Sequence, residues 1–155
     1  MGDLRTLVLS SRPLSWVNTA VPFALAYYVV TESFDLMLAL GSLFFLIPYN
    51  FLMYGINDVF DYESDLRNPR KGGVEGALLP PHLHRSTLIA SVALVVPFVV
   101  VLSWWGTVVS TGVLALSLFF VIAYSAKGLR FKEIPFLDSV TSSAHFVMPA
   151  VFGLA

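Results

Sequence analysis

The sequence predicts an all-α fold, a polytopic bundle of transmembrane helices, and three observations carry that prediction. Of 155 residues, 57% are hydrophobic and 12% are charged, against about 25% charged residues in a typical soluble domain. Mean hydropathy is +0.79, and several apolar runs approach the ~20 residues that cross a bilayer. All nine Lys and Arg residues stand outside those runs, in three segments.

Five spans follow in order. The first covers about 13–31, with Pro13 suited to a helix start because its missing N–H has no partner to lose there. Ala24-Leu25-Ala26 has a cleavage-like pattern, but the apolar run is longer than the usual core of a signal peptide, so a retained helix is expected. The second span covers about 36–56 and ends in an acidic motif. The third covers about 87–105 and the fourth about 107–124, with Gly106 leaving room for only a tight turn. The fifth covers about 136–155. Pro22, Pro48, Pro97 and Pro149 fall inside spans, where neighbouring helices or water can satisfy the freed carbonyls. The last span stops in Val151-Phe152-Gly153-Leu154-Ala155 without a polar flank, and the expectation is the N-terminal part of a longer protein.

Charge placement tests this layout independently. Arg5 and Arg12 precede span one; Arg67, Arg70, Lys71 and Arg85 lie between spans two and three; Lys127, Arg130 and Lys132 lie between spans four and five. Five spans put those segments on one side, while the opposite loops hold Glu32, Asp35 and the uncharged Trp104-Trp105-Gly106 turn. The positive-inside rule assigns the N-terminus and both basic loops to the cytoplasm. A net charge of −1 gives no field to attract nucleic acid. The absence of cysteine excludes disulfides, thiolate catalysis and cysteine-ligated metals.

The acidic motif runs Asn57-Asp58-Val59-Phe60-Asp61-Tyr62-Glu63-Ser64-Asp65. On a continuous helix Asn57, Asp61 and Asp65 project from one face, with Asp58 one position round. Oxygen ligands at this pitch suit Mg²⁺, which prefers a few carboxylates, water and substrate phosphate oxygens to a complete protein cage. Arg67, Arg70 and Lys71 would add direct phosphate contacts. The plain alternative is a solvated helix end whose acids pair with the adjacent bases. The second basic segment, Tyr124 to Lys132, faces the same side and could close a cavity opposite the acids, with Lys127, Arg130 and Lys132 holding diphosphate oxygens; its plain alternative is a positive-inside anchor. Asp138 reads as a helix N-terminal charge. His82 and His84 are too few for a metal site and His145 stands alone, so none is assigned direct chemistry. Phe44, Phe45, Phe119 and Phe120 read as lipid-facing or packing groups, although aromatics can also shelter a carbocation.

Asn57-Asp58-x-x-Asp61-x-x-x-Asp65 at a helix end resembles the first aspartate-rich motif of the UbiA superfamily of intramembrane prenyltransferases. Tyr124-Ser125 followed by Arg130-x-Lys132 resembles that family's next signature, and Ser11-Arg12-Pro13 its opening. The resemblance covers essentially the whole chain, so residues 1–155 would be the N-terminal portion of a single domain. It implies about five helices of a nine-helix fold that binds an isoprenyl diphosphate through Mg²⁺, ionises it and passes the allylic cation to an apolar acceptor. It also implies catalytic roles for Asn57, Asp58, Asp61 and Asp65, with Asn57, Asp61 and Asp65 on the metal. Arg67, Arg70, Lys71, Tyr124, Lys127, Arg130 and Lys132 would bind the diphosphate. A second aspartate-rich motif belongs to a later helix, and Asp138 is no substitute for it, so this stretch by itself should lack a complete site. The loop from Asp65 through Gly72-Gly73-Val74-Glu75-Gly76-Ala77 to Leu79 departs from quinone-type members. With Arg130 to Asp138, it is most similar to the lycopene elongase branch, which adds dimethylallyl units to lycopene in C50 carotenoid synthesis.

Three competitors remain at this point. A UbiA-type enzyme could act on a quinone, tetrapyrrole or lipid acceptor. A CDP-alcohol phosphotransferase needs Asp-Gly early in its motif, whereas Tyr62 follows Asp61. A transporter or other non-catalytic membrane protein would place coupling acids near the bilayer midplane, not at a helix end beside bases.

Overall fold

A computed structural model of the chain describes residues 2–72, 76 and 78–155. Gly73, Val74, Glu75 and Ala77, part of the loop read above for substrate class, lie outside the described residues. The regular elements are helices: α1 (Asp3–Ser10), α2 (Val17–Thr31), α3 (Leu36–Leu46), α4 (Pro48–Phe60), α5 (Tyr62–Asp65), α6 (Pro81–Trp105), α7 (Val108–Ser125) and α8 (Pro135–Leu154), with single 3-10 turns at Pro13–Ser15 and Phe131–Glu133.

Each expected span is helical, and most differ at their ends or contain a break. The chain bends by 53° between the Asp3–Ser15 segment and α2. Ser10 and Ser11 bond back to the carbonyls of Leu7 and Val8 at 2.8 and 2.7 Å, closing α1, and Pro13 then starts the 3-10 turn. The second span divides at Ile47, where Pro48 lacks a donor for the ladder. The Asn50 amide covers the carbonyls exposed there, donating to Phe45 O at 2.7 Å and Leu46 O at 3.1 Å, and it also donates to Thr19 Oγ1 at 2.7 Å. α6 begins at Pro81, ahead of the expected Thr87, because Pro80-Pro81 supplies a helix start. Gly106 makes the expected tight turn, and Thr107 and Ser110 then form a reciprocal capping box at the start of α7.

Leu36–Phe60, Pro81–Trp105 and Val108–Ser125 are long and apolar enough to cross a membrane, and the bent N-terminal pair makes a fourth candidate. α8 has the length, but Asp138, Thr141, Ser142, Ser143 and His145 dilute its apolarity. Thr141 and His145 are buried inside the bundle. The core is aromatic: Phe23, Phe44, Phe45 and Tyr49 are fully buried, with ring centroids 4.9–5.2 Å apart for Phe44–Phe45, Phe23–Phe45 and Phe45–Tyr49, a spacing at which aromatic pairs attract. Phe44 and Phe45 therefore pack internally, whereas Phe119 is exposed.

The close packing of α2 on α8 depends on Gly153. A Cβ there would sit 2.7 Å from Phe23 O and 2.9 Å from Tyr27 N, both backbone atoms. Tyr49 links α4 to two neighbours, donating to His145 O at 3.2 Å while accepting from Ser117 Oγ at 3.1 Å. These contacts tie the start of α4 to the middle of α7 and α8.

Candidate active site

The site grows from the end of α4. Asn57 and Asp58 occupy its last turn, and Asp61 is where it stops, with φ −101° and ψ 4°. α5 restarts at Tyr62 and carries Asp65 as its last residue. This break corrects the expectation of one continuous acidic face: the motif divides into two pairs that turn toward different cations.

Lys132 is the cation of the first pair. Its Nζ bonds Asp61 Oδ2 and donates to Asn57 Oδ1 at 3.3 Å and Ser125 Oγ at 3.1 Å. Ser125 donates to Asn57 Oδ1 at 2.9 Å. Arg130 approaches Asp61 at 3.5 Å but holds Glu133 at 2.6 Å. Burial moves the Lys132 ammonium below its ordinary range, with Asp61 opposing that shift.

Lys71 is the cation of the second pair. One Nζ lies 2.6 Å from Asp58 Oδ1 and 2.7 Å from Asp65 Oδ2. Arg12 reaches Asp58 Oδ1 at 3.5 Å, and its guanidinium stands 4.3 Å from the centre of the Tyr54 ring, a cation–π distance. The Lys71 and Asp58 side chains are 4% and 0% exposed. The acids do pair with bases, as a solvated helix end would, but this cluster is buried. Asp58 Oδ2 and Arg12 Nε are buried, with no hydrogen-bond partner among the described residues.

A cavity of about 270 Å³ opens beside both clusters. The charged Arg12 and the amide of Asn57 form one end, Tyr54 and Tyr124 its aromatic walls, and Met53 and Phe146 apolar surface. Lys132 Nζ lies 5.7 Å from the Tyr124 ring centre. Tyr124, expected on the diphosphate, lines this cavity next to that cation. Arg67 and Lys127 are exposed, and among the described residues no ion pair brings either to the acids. Arg70 is exposed, and its backbone N–H donates to Asn68 Oδ1 at 3.0 Å. His84 contacts Leu79 O at 3.0 Å and His82 lies 3.6 Å from Asp3, both away from the cavity.

The sequence reading left Arg12 and Ser125 out of the site, although both stood in quoted segments, Ser11-Arg12-Pro13 and Tyr124-Ser125. Its treatment of Arg12 as an N-terminal topology charge concealed a role 46 positions along the chain, at Asp58.

Among the described residues, no three acidic or histidine side chains gather as a metal site. Asp58 and Asp65 converge on one point and Asp61 stands with the Asn57 amide on another, donor sets that fit Mg²⁺, since this ion commonly takes one or two carboxylates and fills its octahedron with water and phosphate oxygens. The unpartnered Asp58 Oδ2 is a further oxygen donor beside that pair.

Comparison with known proteins adds ancestry to this geometry. Residues 19–155 match the model of the UbiA prenyltransferase family. The chain is 66% identical over 152 residues to a C(50) beta-cyclic carotenoids biosynthesis protein of Dietzia sp., covering 98% of this chain and 35% of that protein. It is 58% identical over 153 residues to a lycopene elongase/hydratase of Corynebacterium glutamicum, covering 99% and 53%. A lycopene elongase/hydratase of Haloarcula japonica is 35% identical over 154 residues, covering 96% and 51%. The chain therefore spans about a third to a half of the length of these relatives. No solved structure matches it. UbiA prenyltransferases generally use Mg²⁺, and the apolar helices with the family match make this an integral membrane protein. The chain belongs to the UbiA prenyltransferase family.

Proposed function

We propose that the protein carrying this chain is a Mg²⁺-dependent prenyltransferase that moves a dimethylallyl group from its diphosphate to lycopene, in C50 carotenoid synthesis. Residues 1–155 supply the N-terminal portion of its single UbiA-like domain. The observation that carries this reading is the meeting of acids, bases and a partly apolar cavity at one bundle end. Relatives named for lycopene elongation and C(50) carotenoids support the acceptor.

Asn57, Asp61 and Asp65 would hold the metal, with Asp58 assisting. When bound, Mg²⁺ neutralises diphosphate charge as the allylic C–O bond breaks. Lys71, Arg130 and Lys132 stand close enough to these acids to exchange carboxylate contacts for phosphate oxygens, with Arg12 beside them. Arg67, Arg70 and Lys127 are exposed on the segments next to these acids and add positive potential for an incoming diphosphate. Tyr54 and Tyr124 face the cavity with aromatic rings that stabilise an allylic cation, and the membrane excludes water from it. The orientation that fits a soluble diphosphate places this end in the cytoplasm of a cell-membrane protein.

The test is expression of the longest reading frame containing this chain in lycopene-accumulating bacteria, with pigments read by mass spectrometry. Products longer by one and two C5 units are expected. Lycopene left unchanged, or prenylation of a quinone, tetrapyrrole or lipid instead, overturns the assignment. Asp61→Ala and Asp65→Ala should each abolish Mg²⁺-dependent diphosphate binding; unaffected binding would remove these residues from the site.

A further inference from the structure

We infer that His145 is the base that discharges the carbocation formed on the acceptor, an inference that rests on the prenyl-transfer reading above. An ionisable side chain buried inside a helix bundle is costly unless it is bonded, and such groups cluster at functional sites. His145 is buried and lines the same cavity as Asn57 and Tyr124. It lies seven residues beyond Asp138 along α8, about 10 Å deeper at 1.5 Å per residue. The charged end of the cavity would hold the diphosphate, so His145 stands on the side where the hydrocarbon reacts.

Its surroundings select the tautomer. Nε2 lies 3.4 Å from Phe120 O. A carbonyl can only accept, so this contact places the proton on Nε2 and the lone pair on Nδ1. The ring meets Tyr124 edge-on, with centroids 4.9 Å apart, and the His145 carbonyl is pinned by Tyr49 Oη at 3.2 Å. Two contacts therefore hold the imidazole and a third fixes the backbone that carries it. Each nearby carboxylate already has a partner for one oxygen: Asp58 and Asp65 bond Lys71, Asp61 bonds Lys132, and Asp138 accepts from the Tyr124 hydroxyl. Among the described side chains lining this cavity, His145 is the one that carries a ring-nitrogen lone pair.

The step balances without another reactant. The allylic C–O bond breaks and its electron pair leaves on the diphosphate. An acceptor double bond supplies the pair for the new C–C bond, which leaves a cation on the neighbouring acceptor carbon. Nδ1 takes a proton from the carbon beside that cation, and the C–H pair becomes the new double bond. Where water closes the reaction instead, its oxygen bonds the cation and Nδ1 takes the water proton. In both endings His145 gains one proton, then returns it to the released diphosphate or to solvent.

The experiment uses the full-length protein in lipid nanodiscs with dimethylallyl diphosphate, Mg²⁺ and lycopene. His145→Gln retains an N–H for Phe120 O but no basic lone pair, while His145→Phe loses both. The expected result for His145→Gln is a kcat about 100-fold lower, the scale of one general base, with KM for the diphosphate within twofold and thermal stability near wild type. His145→Gln turning over at the wild-type rate overturns the inference. So does a rate loss that tracks lowered stability equally in both variants, which would make His145 a packing residue. Wild-type protein that forms no prenylated lycopene sinks the prenyl-transfer reading itself, an outcome distinct from either failure at His145.

Discussion

Lys71 places one positive charge between two carboxylates, at 2.6 Å from Asp58 and 2.7 Å from Asp65, with its own side chain almost completely covered. Taking one partner from a buried ion pair leaves an uncompensated charge, which costs about 3–5 kcal/mol. Lys71→Met should therefore destabilise the protein by that order, and adding Asp58→Asn should restore most of the loss. Denaturation of both single variants and the double variant in detergent measures the coupling; strictly additive losses would show that the pair does not matter to stability. Arg130–Glu133 is as short, at 2.6 Å, but its side chains are 32% and 59% exposed. Solvent screening limits such a pair to about 0–1 kcal/mol, so Glu133→Ala should change stability little. The sequence showed the acids and their i, i+4 spacing, which does unite Asn57 with Asp61 on Lys132. It could not show that Asp65 joins Asp58 instead, because that pairing depends on an irregular loop returning Lys71.

Helix continuity decides how much of each element could be read in advance. Apolar runs announce helices, so all five stretches were legible as helical, as was the Gly106 turn, although α8 is not among the helices apolar enough to cross a membrane. The breaks at Ile47 and Asp61 were not, since Pro48 is compatible with either a kink or a stop, and Asp61 sits in a motif whose spacing fits an unbroken helix. Close helix approach is similarly hidden in composition. Gly153 faces Phe23 O and Tyr27 N, backbone atoms that cannot rotate away, so Gly153→Leu should push α8 off α2 and cost about 1–3 kcal/mol. A melting temperature unchanged by that substitution would contradict the packing. α3 offers a pH test outside the membrane. Asp35 caps it by accepting from Leu38 N–H at 2.9 Å and also accepts from Tyr27 Oη at 2.8 Å. The Leu38 bond, then the Tyr27 bond, hold its carboxyl below the ordinary 3.8. Because the folded value is depressed, this contribution is present above pH 3.8 and is lost as pH falls through the lower folded value. Asp35→Asn keeps a capping oxygen and should flatten that part of the acid-melting curve; an identical acid limb would assign the slope to other groups.

At the scale of the whole molecule, charge topology and tertiary contacts agree through different physics. Counting Lys and Arg between apolar runs placed three segments on one side, and the ion pairs bring representatives of all three, Arg12, Lys71 and Lys132, onto one acidic motif. The far end is tied by uncharged and acidic groups, Tyr27 to Asp35 and Thr107 to Ala155 O. Basic segments resist transfer across the membrane during insertion, and a diphosphate donor made in the cytoplasm needs its site there, so a single orientation satisfies biogenesis and the proposed chemistry. Residues 1–155 contain no cysteine, so a thiol introduced among them is a unique reporter once any cysteine elsewhere in the protein is replaced by serine. Lys127→Cys and Arg67→Cys, both exposed beside the site, should resist a membrane-impermeant maleimide in intact cells and react after lysis. Glu32→Cys and Trp104→Cys, exposed at the other end, should react in intact cells. The reverse pattern would turn the bundle over. It would also require a diphosphate supply outside the cytoplasm, so labelling tests the proposed reaction without any substrate being added.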